Sequence, residues 1–493
     1  MVAKNQLDII EGKGPEGVTV QDAELAEALR NYVPGSDAEK KLVRKIDWAL
    51  MPILWIMYIL NYVDRTNIGN AKIAGMDTDL NLNDTRYAWV LSIFFFGYLI
   101  MEVPSNMILS RSRPSLYLPG IMFVWGALSA AMAAANGYSA LLAFRFILGC
   151  IESGFFPGVL FLLSTWYKST ELGKRFAIFY TAAVISGAFG GVLAGAITSH
   201  LDGAHGIAGW RWLFIVEGVA TVGVAVIAVF ILLDFPATSK RLTLEERQLA
   251  VVRILKDGID SGSADKTLRL SHWDAFVAAI SDPRTYVFLV LFVLDVGAGT
   301  ISYFIPTITK TLGYSSVMAQ YMTVPIYAVA AVFLNILAYS ADRNNERRWH
   351  ITGALAVGFG AAVVCAATQN PVARYVMVCF VAAGIWSALP LILTWTSTTI
   401  SLPAEKRAIV LALVNAFGNF SSVYGSRIWP TSTAPAYTMG FAVTAGFLGL
   451  GMLLAIALPW YVQYVPRTGT KAERELEERK RVKRESAEDE LSV

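Results

Sequence analysis

Trp48-Ala-Leu-Met-Pro-Ile-Leu-Trp-Ile-Met-Tyr-Ile-Leu-Asn-Tyr-Val-Asp-Arg-Thr-Asn-Ile-Gly69 is apolar for most of its length, then carries Asp64 and Arg65 side by side. About 20 mostly apolar residues are what a helix needs to cross roughly 30 Å of hydrocarbon. The stretch therefore reads as a membrane span with an acid and a guanidinium near its far end. A charge at membrane depth costs from a few to more than ~10 kcal/mol. Such residues persist where they face a partner or a water-filled path, which makes them candidate functional sites. Arg145-Phe-Ile-Leu-Gly-Cys-Ile-Glu152 repeats the pattern in a later apolar stretch. Two acids with two guanidiniums point to a proton-linked anion site.

Composition agrees with the membrane reading. The chain of 493 residues has a mean hydropathy of +0.50, 55% hydrophobic residues and only 16% charged ones. Soluble domains carry about 25% charged residues. The formal net charge of +3 says nothing about nucleic acid. Cys150, Cys365 and Cys379 all lie in apolar runs, without metal-ligand or disulfide-framework spacing. The polar N-terminus lacks an apolar core for a cleaved signal peptide.

Eleven further apolar stretches fall near residues 87–109, 116–135, 140–166, 176–201, 212–233, 285–308, 319–340, 351–368, 375–398, 408–428 and 438–462. Hydrocarbon offers no partner for open backbone groups, so all twelve are expected to be helices. The expected fold is an all-α membrane protein of twelve transmembrane helices in two six-helix bundles. Residues 1–45 form a polar N-terminal segment, 46–233 the first bundle and 234–284 a linker. Residues 285–462 form the second bundle and 463–493 a charged tail.

Within the linker, Thr243-Leu-Glu-Glu246 is a capping-box pattern opening an amphipathic helix. Ser271-His-Trp-Asp274 opens a second one, lying at the membrane surface. The tail reads as a solvated helix or a disordered segment.

Lys and Arg set the orientation. Arg111, Arg113, Lys168, Lys174, Arg175, Arg343, Arg347, Arg348, Lys406 and Arg407 gather in alternate connections, whereas the connections at 136–139 and 369–374 are nearly bare. The positive-inside rule puts both termini in the cytoplasm.

Arg145, Gly149 and Glu152 recur at i, i+4 and i+7 and share one helix face. Arg145 and Glu152 are about 10 Å apart along the axis, too far for a tight pair. Counted from the ends of their spans, Asp64 and Arg145 share a level in the outer half, so they form the expected buried pair. Glu152 is expected one layer deeper. A fixed ion-pair cluster that merely joins two helices is the structural alternative.

Asp295 lies in mid-span, either as a second protonation site or as a neutral acid bonded to a neighbour. Glu102 and Glu217 read as structural. Asn415, Asn419, Ser421 and Ser422 line a cavity or hold helices together. Trp386, Trp395 and Tyr327 stack on a ring-bearing substrate or pack the core. Asn83-Asp-Thr85 is a glycosylation sequon in a predicted outer loop. His200, His205, His272 and His350 fall at loops or span ends, and no nucleophile–base or metal spacing appears.

Asn61-Tyr-Val-Asp-Arg-Thr-Asn-Ile-Gly-Asn-Ala-Lys72 and Arg145-Phe-Ile-Leu-Gly-Cys-Ile-Glu-Ser-Gly-Phe-Phe-Pro157 resemble the anion:cation symporter family of the major facilitator superfamily, in its fungal branch of allantoate, nicotinate and vitamin permeases. Glu102-Val-Pro-Ser-Asn106, Gly209-Trp-Arg-Trp-Leu-Phe214 and Tyr303-Phe-Ile-Pro-Thr307 are similar to motifs of that branch. The resemblance implies a proton-coupled symporter for small organic anions, with two bundles rocking about a central site. It maps the family's first-helix acid–Arg pair onto Asp64 and Arg65, and its fourth-helix pair onto Arg145 and Glu152. The superfamily's loop motif is eroded to Ser110-Arg-Ser-Arg-Pro114 and better kept as Ala341-Asp-Arg-Asn-Asn-Glu-Arg347.

The expected proton-coupling residues are thus Asp64, Glu152 and Asp295. The expected substrate-binding residues are Asn61, Arg65, Arg145, Trp386, Asn415 and Asn419, with Asp342 and Arg343 for gating. The expected partners are a small carboxylate, protons and the lipid bilayer of the plasma membrane. Neither nucleic acid, cofactor nor metal is expected, and the chain reads as a monomer. Efflux or vacuolar exchange of a secondary metabolite, or a nutrient sensor that does not transport, are the competing functions. Tags at both ends should be reached only after permeabilisation, and a tag at Gly203 from outside. Detection of either terminus on intact cells contradicts this topology.

Overall fold

The stretch that opens with Asp37 continues as one helix, α1 (Asp37–Ala71), of 35 residues, begun by the Ser36 side chain accepting from the Glu39 amide. At about 1.5 Å per residue it is far longer than a bilayer is thick, so its first turns project beyond the hydrocarbon. The computed structural model describes residues 29, 31–109, 112–260, 270–344, 346–400, 403–465, 469–479 and 481.

The remaining helices of the first half are α2 (Asp84–Leu109), α3 (Pro114–Ala131), α4 (Tyr138–Glu152), α5 (Phe155–Trp166), α6 (Ser169–His200) and α7 (Gly209–Ile231). The connecting stretch holds α8 (Leu244–Asp260) and α9 (His272–Ser281). The second half contains α10 (Pro283–Gly299), α11 (Ile305–Thr311), α12 (Ser316–Tyr321), α13 (Thr323–Asn344), α14 (Arg348–Ala367), α15 (Pro371–Thr399), α16 (Ala404–Gly425) and α17 (Thr438–Tyr464).

Among the described residues, eleven helices are long and apolar enough to span a membrane. The expected span over 87–109 is α2, a helix of 26 residues. Several expected spans are interrupted, the one over 319–340 at Met322 between α12 and α13. The expected helix over 140–166 breaks after Glu152 into α4 and α5, and the one over 285–308 breaks at a 3-10 turn, Thr300–Tyr303. The breaks after Glu152 and at Thr300–Tyr303 fall beside the charged residues described below.

The halves pack as two bundles, with α3 on α7, α2 on α4 and α1 on α6 in the first, and α14 on α15 and α17 in the second. They meet on the side opposite the termini. There α6 lies against α12 and α13, and α2 against α16. Gly191 makes the first contact possible, because a Cβ there would collide with Thr323. In the second, the Ser92 and Ser426 hydroxyls are 3.1 Å apart. Asp84 accepts from both the amide and the hydroxyl of Thr431 at 2.7 Å. The chain is thus closed on the side away from its termini.

Both connecting segments are helical, with the Thr243–Glu246 capping box formed in both directions and Ser271 capping α9. Each is held to its own bundle by a buried charge. Arg253 of α8 donates to Glu39, to the Trp166 carbonyl and to both oxygens of Glu171, at 2.5–3.0 Å. Lys406 lies 2.8 Å from Asp282 and 3.0 Å from Glu473. The tail is therefore not simply solvated as expected. Over 471–479 it is helical, burying Glu473 against Lys406 and Leu476 against the α9 cluster. Asp282 also pairs with Arg284, and these hydrogen bonds hold its carboxyl down at about 2 despite burial.

Arg253 is fully buried and its neighbours depend on it. Arg253→Ala should cost about 3–5 kcal/mol, because it strips the buried Glu39 of one of its cations. The check is thermal unfolding of the purified protein in detergent. An unchanged midpoint contradicts the clasp.

Candidate functional site

Position along α1 decides which way each polar side chain faces. Successive residues on a helix point about 100° apart, whereas residues four apart share a face. Asn61 and Arg65 therefore look the same way, toward α4, and Asp64 looks elsewhere. Arg65 Nε donates to Glu152 Oε1 in a buried ion pair. Asn61 Nδ2 donates to the same oxygen at 2.8 Å. Oε2 of Glu152 is left without a hydrogen-bond partner, and Glu152 is 0% exposed.

The expected Asp64–Arg145 pair does not form. Asp64 turns into the first bundle, accepting from Trp125 Nε1 at 3.0 Å and Ser129 Oγ at 2.9 Å, both on α3. Depth alone predicted the pair, but the angular position of Asp64 around α1 rules it out. The partner of the fourth-span acid is Arg65. Arg145 stands alone beside this pair, 1% exposed, with Nε and Nη1 lacking any hydrogen-bond partner.

Aromatic faces take up the guanidiniums instead. Arg65 lies 4.9 Å from the Tyr98 ring centroid and 5.5 Å from those of Tyr62 and Phe94. Arg145 lies 5.0 Å from that of Phe94. The Phe94 ring thus reaches both cations. It can do so because α2 and α4 cross closely at Gly149, where a Cβ would strike the Phe94 carbonyl.

Trp386 joins the site from the second bundle, its ring 6.2 Å from that of Tyr62 and 6.4 Å from that of Tyr327. Asn415 and Asn419 are half-buried. With Ser422 and Ser426 they follow i, i+4, i+7 and i+11 along α16, and Ser426 meets Ser92 of the first bundle. That face points to the seam between the bundles.

Asp295 is buried on α10 with neither carboxylate oxygen hydrogen-bonded, and among the described residues it is not joined to the Arg65–Glu152 cluster. Glu217 is likewise buried and unpartnered on α7. Asp342 and Arg343 sit at the exposed end of α13, on the side of the termini. Arg347 is 4.0 Å from Asp342, and Arg343 donates to the Tyr339 hydroxyl at 3.4 Å. Ser110 and Arg111 of the eroded loop motif lie outside the described residues. Asn83 is exposed, and its side-chain oxygen accepts from the Arg86 amide at the start of α2.

Tyr62, Phe94, Tyr98, Trp125 and Ser129 are site residues that the sequence reading missed. The i, i+4 spacing of Phe94 and Tyr98 was the available signal, and it reads equally as packing.

Comparison with known proteins agrees with this architecture. The family model described as Major Facilitator Superfamily matches residues 54–426. The chain belongs to the major facilitator superfamily. Among solved members of this fold, a bacterial homologue of the human lysosomal transporter Spinster superposes with a TM-score of 0.65 at 16% identity, covering 87% of this chain and 98% of that one. A D-xylose–proton symporter gives 0.62 at 15%, covering 87% and 99%. Among sequence relatives, the MFS-type transporter cnsO of Penicillium expansum is 35% identical, covering 88% of this chain and 85% of its own length. A putative tartrate transporter of Agrobacterium vitis is 31% identical, covering 86% and 92%. The protein is a multi-pass membrane protein of a transporter superfamily.

Gly149 lets α4 approach the Phe94 backbone of α2, whose ring lies within 5.5 Å of both guanidiniums. Gly149→Val should push α2 from α4 and reduce transport at least about tenfold, since small displacements of positioning groups cost about that or more. Gly137, where a Cβ meets nothing, is the control position. Equal activity of the Gly149→Val and Gly137→Val proteins contradicts the close crossing.

Proposed function

We propose that this protein is a proton-coupled symporter carrying a small organic anion into the cell by alternating access. Arg145 carries the reading. It is a buried guanidinium with two free donors, next to an acid already engaged by a second guanidinium. Burying a charge without a partner is costly, so such a group is suited to a ligand that brings the missing charge. The planar fork of Arg matches a carboxylate bidentately.

Coupling follows from how Glu152 is held. Asn61 and Arg65 both engage Oε1, while Oε2 has no partner and can take a proton. A protonated Glu152 grips Arg65 less, freeing that guanidinium to join Arg145 on the substrate carboxylate. Loss of the proton restores the pair and weakens the anion's hold. Each ligand then raises the other's affinity by the same factor. Asp64, fixed by Trp125 and Ser129, is a second candidate proton carrier within the first bundle, and Asp295 a third within the second.

The Lys/Arg asymmetry supports cytoplasmic termini. On that orientation the sealed face is extracellular and the structure represents the inward-facing stage of the cycle. The segments 46–233 and 285–462 are the bodies that rock. Asp342 and Arg343 would meet the first bundle when the cytoplasmic side closes. Trp386 and Tyr62 offer aromatic faces, and Asn415 and Asn419 amides, to the body of the substrate. Two relatives named putative tartrate transporters, 31% and 32% identical to this chain, favour a hydroxy acid within the anion class. The motifs shared with the fungal anion:cation symporters favour the plasma membrane.

Proteoliposome uptake of radiolabelled tartrate, nicotinate and allantoate, with and without an inside-alkaline gradient, tests the proposal. At least one should accumulate only with the gradient. Glu152→Gln, which mimics the protonated acid, should lose gradient-driven accumulation yet keep substrate counterflow. Undiminished proton-driven accumulation in a well-folded Glu152→Gln protein removes Glu152 as the coupling acid.

A further inference from the structure

Lys72 is the one residue of the Asn61–Lys72 motif whose charge the site above does not use. It stands at the start of a π-helical turn, Lys72–Met76, that follows α1 directly. Such turns re-aim a helix and recur at functional positions. Lys72 is buried where the two bundles meet on the side away from the termini. The second bundle builds the surroundings: the Tyr303 carbonyl presses on Gly69, leaving no room for a Cβ, and Lys310 Nζ donates to the Ile73 carbonyl at 3.2 Å.

The ammonium has no carboxylate within ion-pair distance among the described residues. Asp84 and Asp77 act on it only from further away. It is instead held by aromatic faces, 4.2 Å from the Tyr87 centroid and 5.8 Å from that of Phe304. These two rings meet edge to face at 5.9 Å, and Phe304 stacks on Trp429 at 5.9 Å. Tyr87 belongs to the first bundle and Phe304 to the second. The cage therefore exists only while the bundles are together on this side. When they part, Phe304 leaves with its bundle, and the ammonium is exposed at the mouth of the path to Arg145.

We propose that Lys72 changes partners during the cycle: it is caged by Tyr87 and Phe304 while this side is closed, and takes the carboxylate of an incoming anion once it opens, ahead of Arg145. The anion half of this statement rests on the function proposed above. The cage half does not. Lys72 beside Tyr87, and Arg145 and Arg65 beside Phe94, then supply successive cations next to aromatic rings. A cation on an aromatic face keeps part of its stabilisation without water, yet yields to a carboxylate, which a lysine–acid pair would not do as readily.

The cage is tested by distances between spin labels at Thr85 and Ser432, on opposite bundles, in protein lacking its three native cysteines. Phe304→Leu should shift the population from closed to open. The shift should be roughly three- to thirtyfold larger with Lys72 present than in the Lys72→Gln protein. Equal shifts in both backgrounds overturn the cage, since plain packing predicts them. Initial uptake of external tartrate tests the other half. Lys72→Gln should raise KM on the order of tenfold while moving Vmax less, and Lys72→Arg should restore KM. An unchanged KM overturns anion capture. If the wild type moves no carboxylate, the proposed function fails and anion capture with it, whereas the distance cycle still decides the cage.

Discussion

The ion pair between Arg65 and Glu152 sets what the neighbouring groups can do. Both partners are buried, and a buried pair is tolerated only when geometry and further hydrogen bonds offset the loss of water. Asn61 supplies one such bond, and the faces of Tyr98, Tyr62 and Phe94 cover the guanidinium. Glu152 bonds Arg65, whereas Nε and Nη1 of Arg145 have no hydrogen-bond partner among the described residues. The asymmetry of one matched and one unmatched guanidinium is the observation behind the proposed site.

The scaffold keeps that asymmetry while allowing movement. Contacts within each bundle are extensive, whereas among the described residues the main helix contacts between bundles lie on the side away from the termini, at small residues, hydroxyl pairs and aromatic rings. The connecting helices do not bridge the bundles rigidly. Arg253 fastens α8 to the first, and Lys406 fastens the Asp282 end and the tail to the second. Each bundle thus carries its own piece of the connection as it turns.

Much of this was legible in the chain. The spans follow from apolar length, which the bilayer dictates, and the charged residues stood out because hydrocarbon penalises them. The capping box of α8 was readable because its chemistry is local. What failed was the pairing. Depth along an axis can be counted from sequence, but Asp64 and Arg65 differ by about 100° in direction, and only the packing of α3 and α4 around α1 says which faces which. The helix break after Glu152 was also missed, since its apolar flanks read as one span. The docking of Glu473 depends on Lys406, 67 residues away, and no local pattern announces it.

The central proposal is that, within the site, Arg145 receives the substrate carboxylate first, while Glu152 still holds Arg65. Equilibrium binding of a labelled carboxylate to the purified protein tests it without requiring transport. Arg145→Lys keeps the charge but loses the fork, so it should weaken binding by at least about tenfold with thermal stability little changed. Unaltered affinity in a stable Arg145→Lys protein would contradict the account.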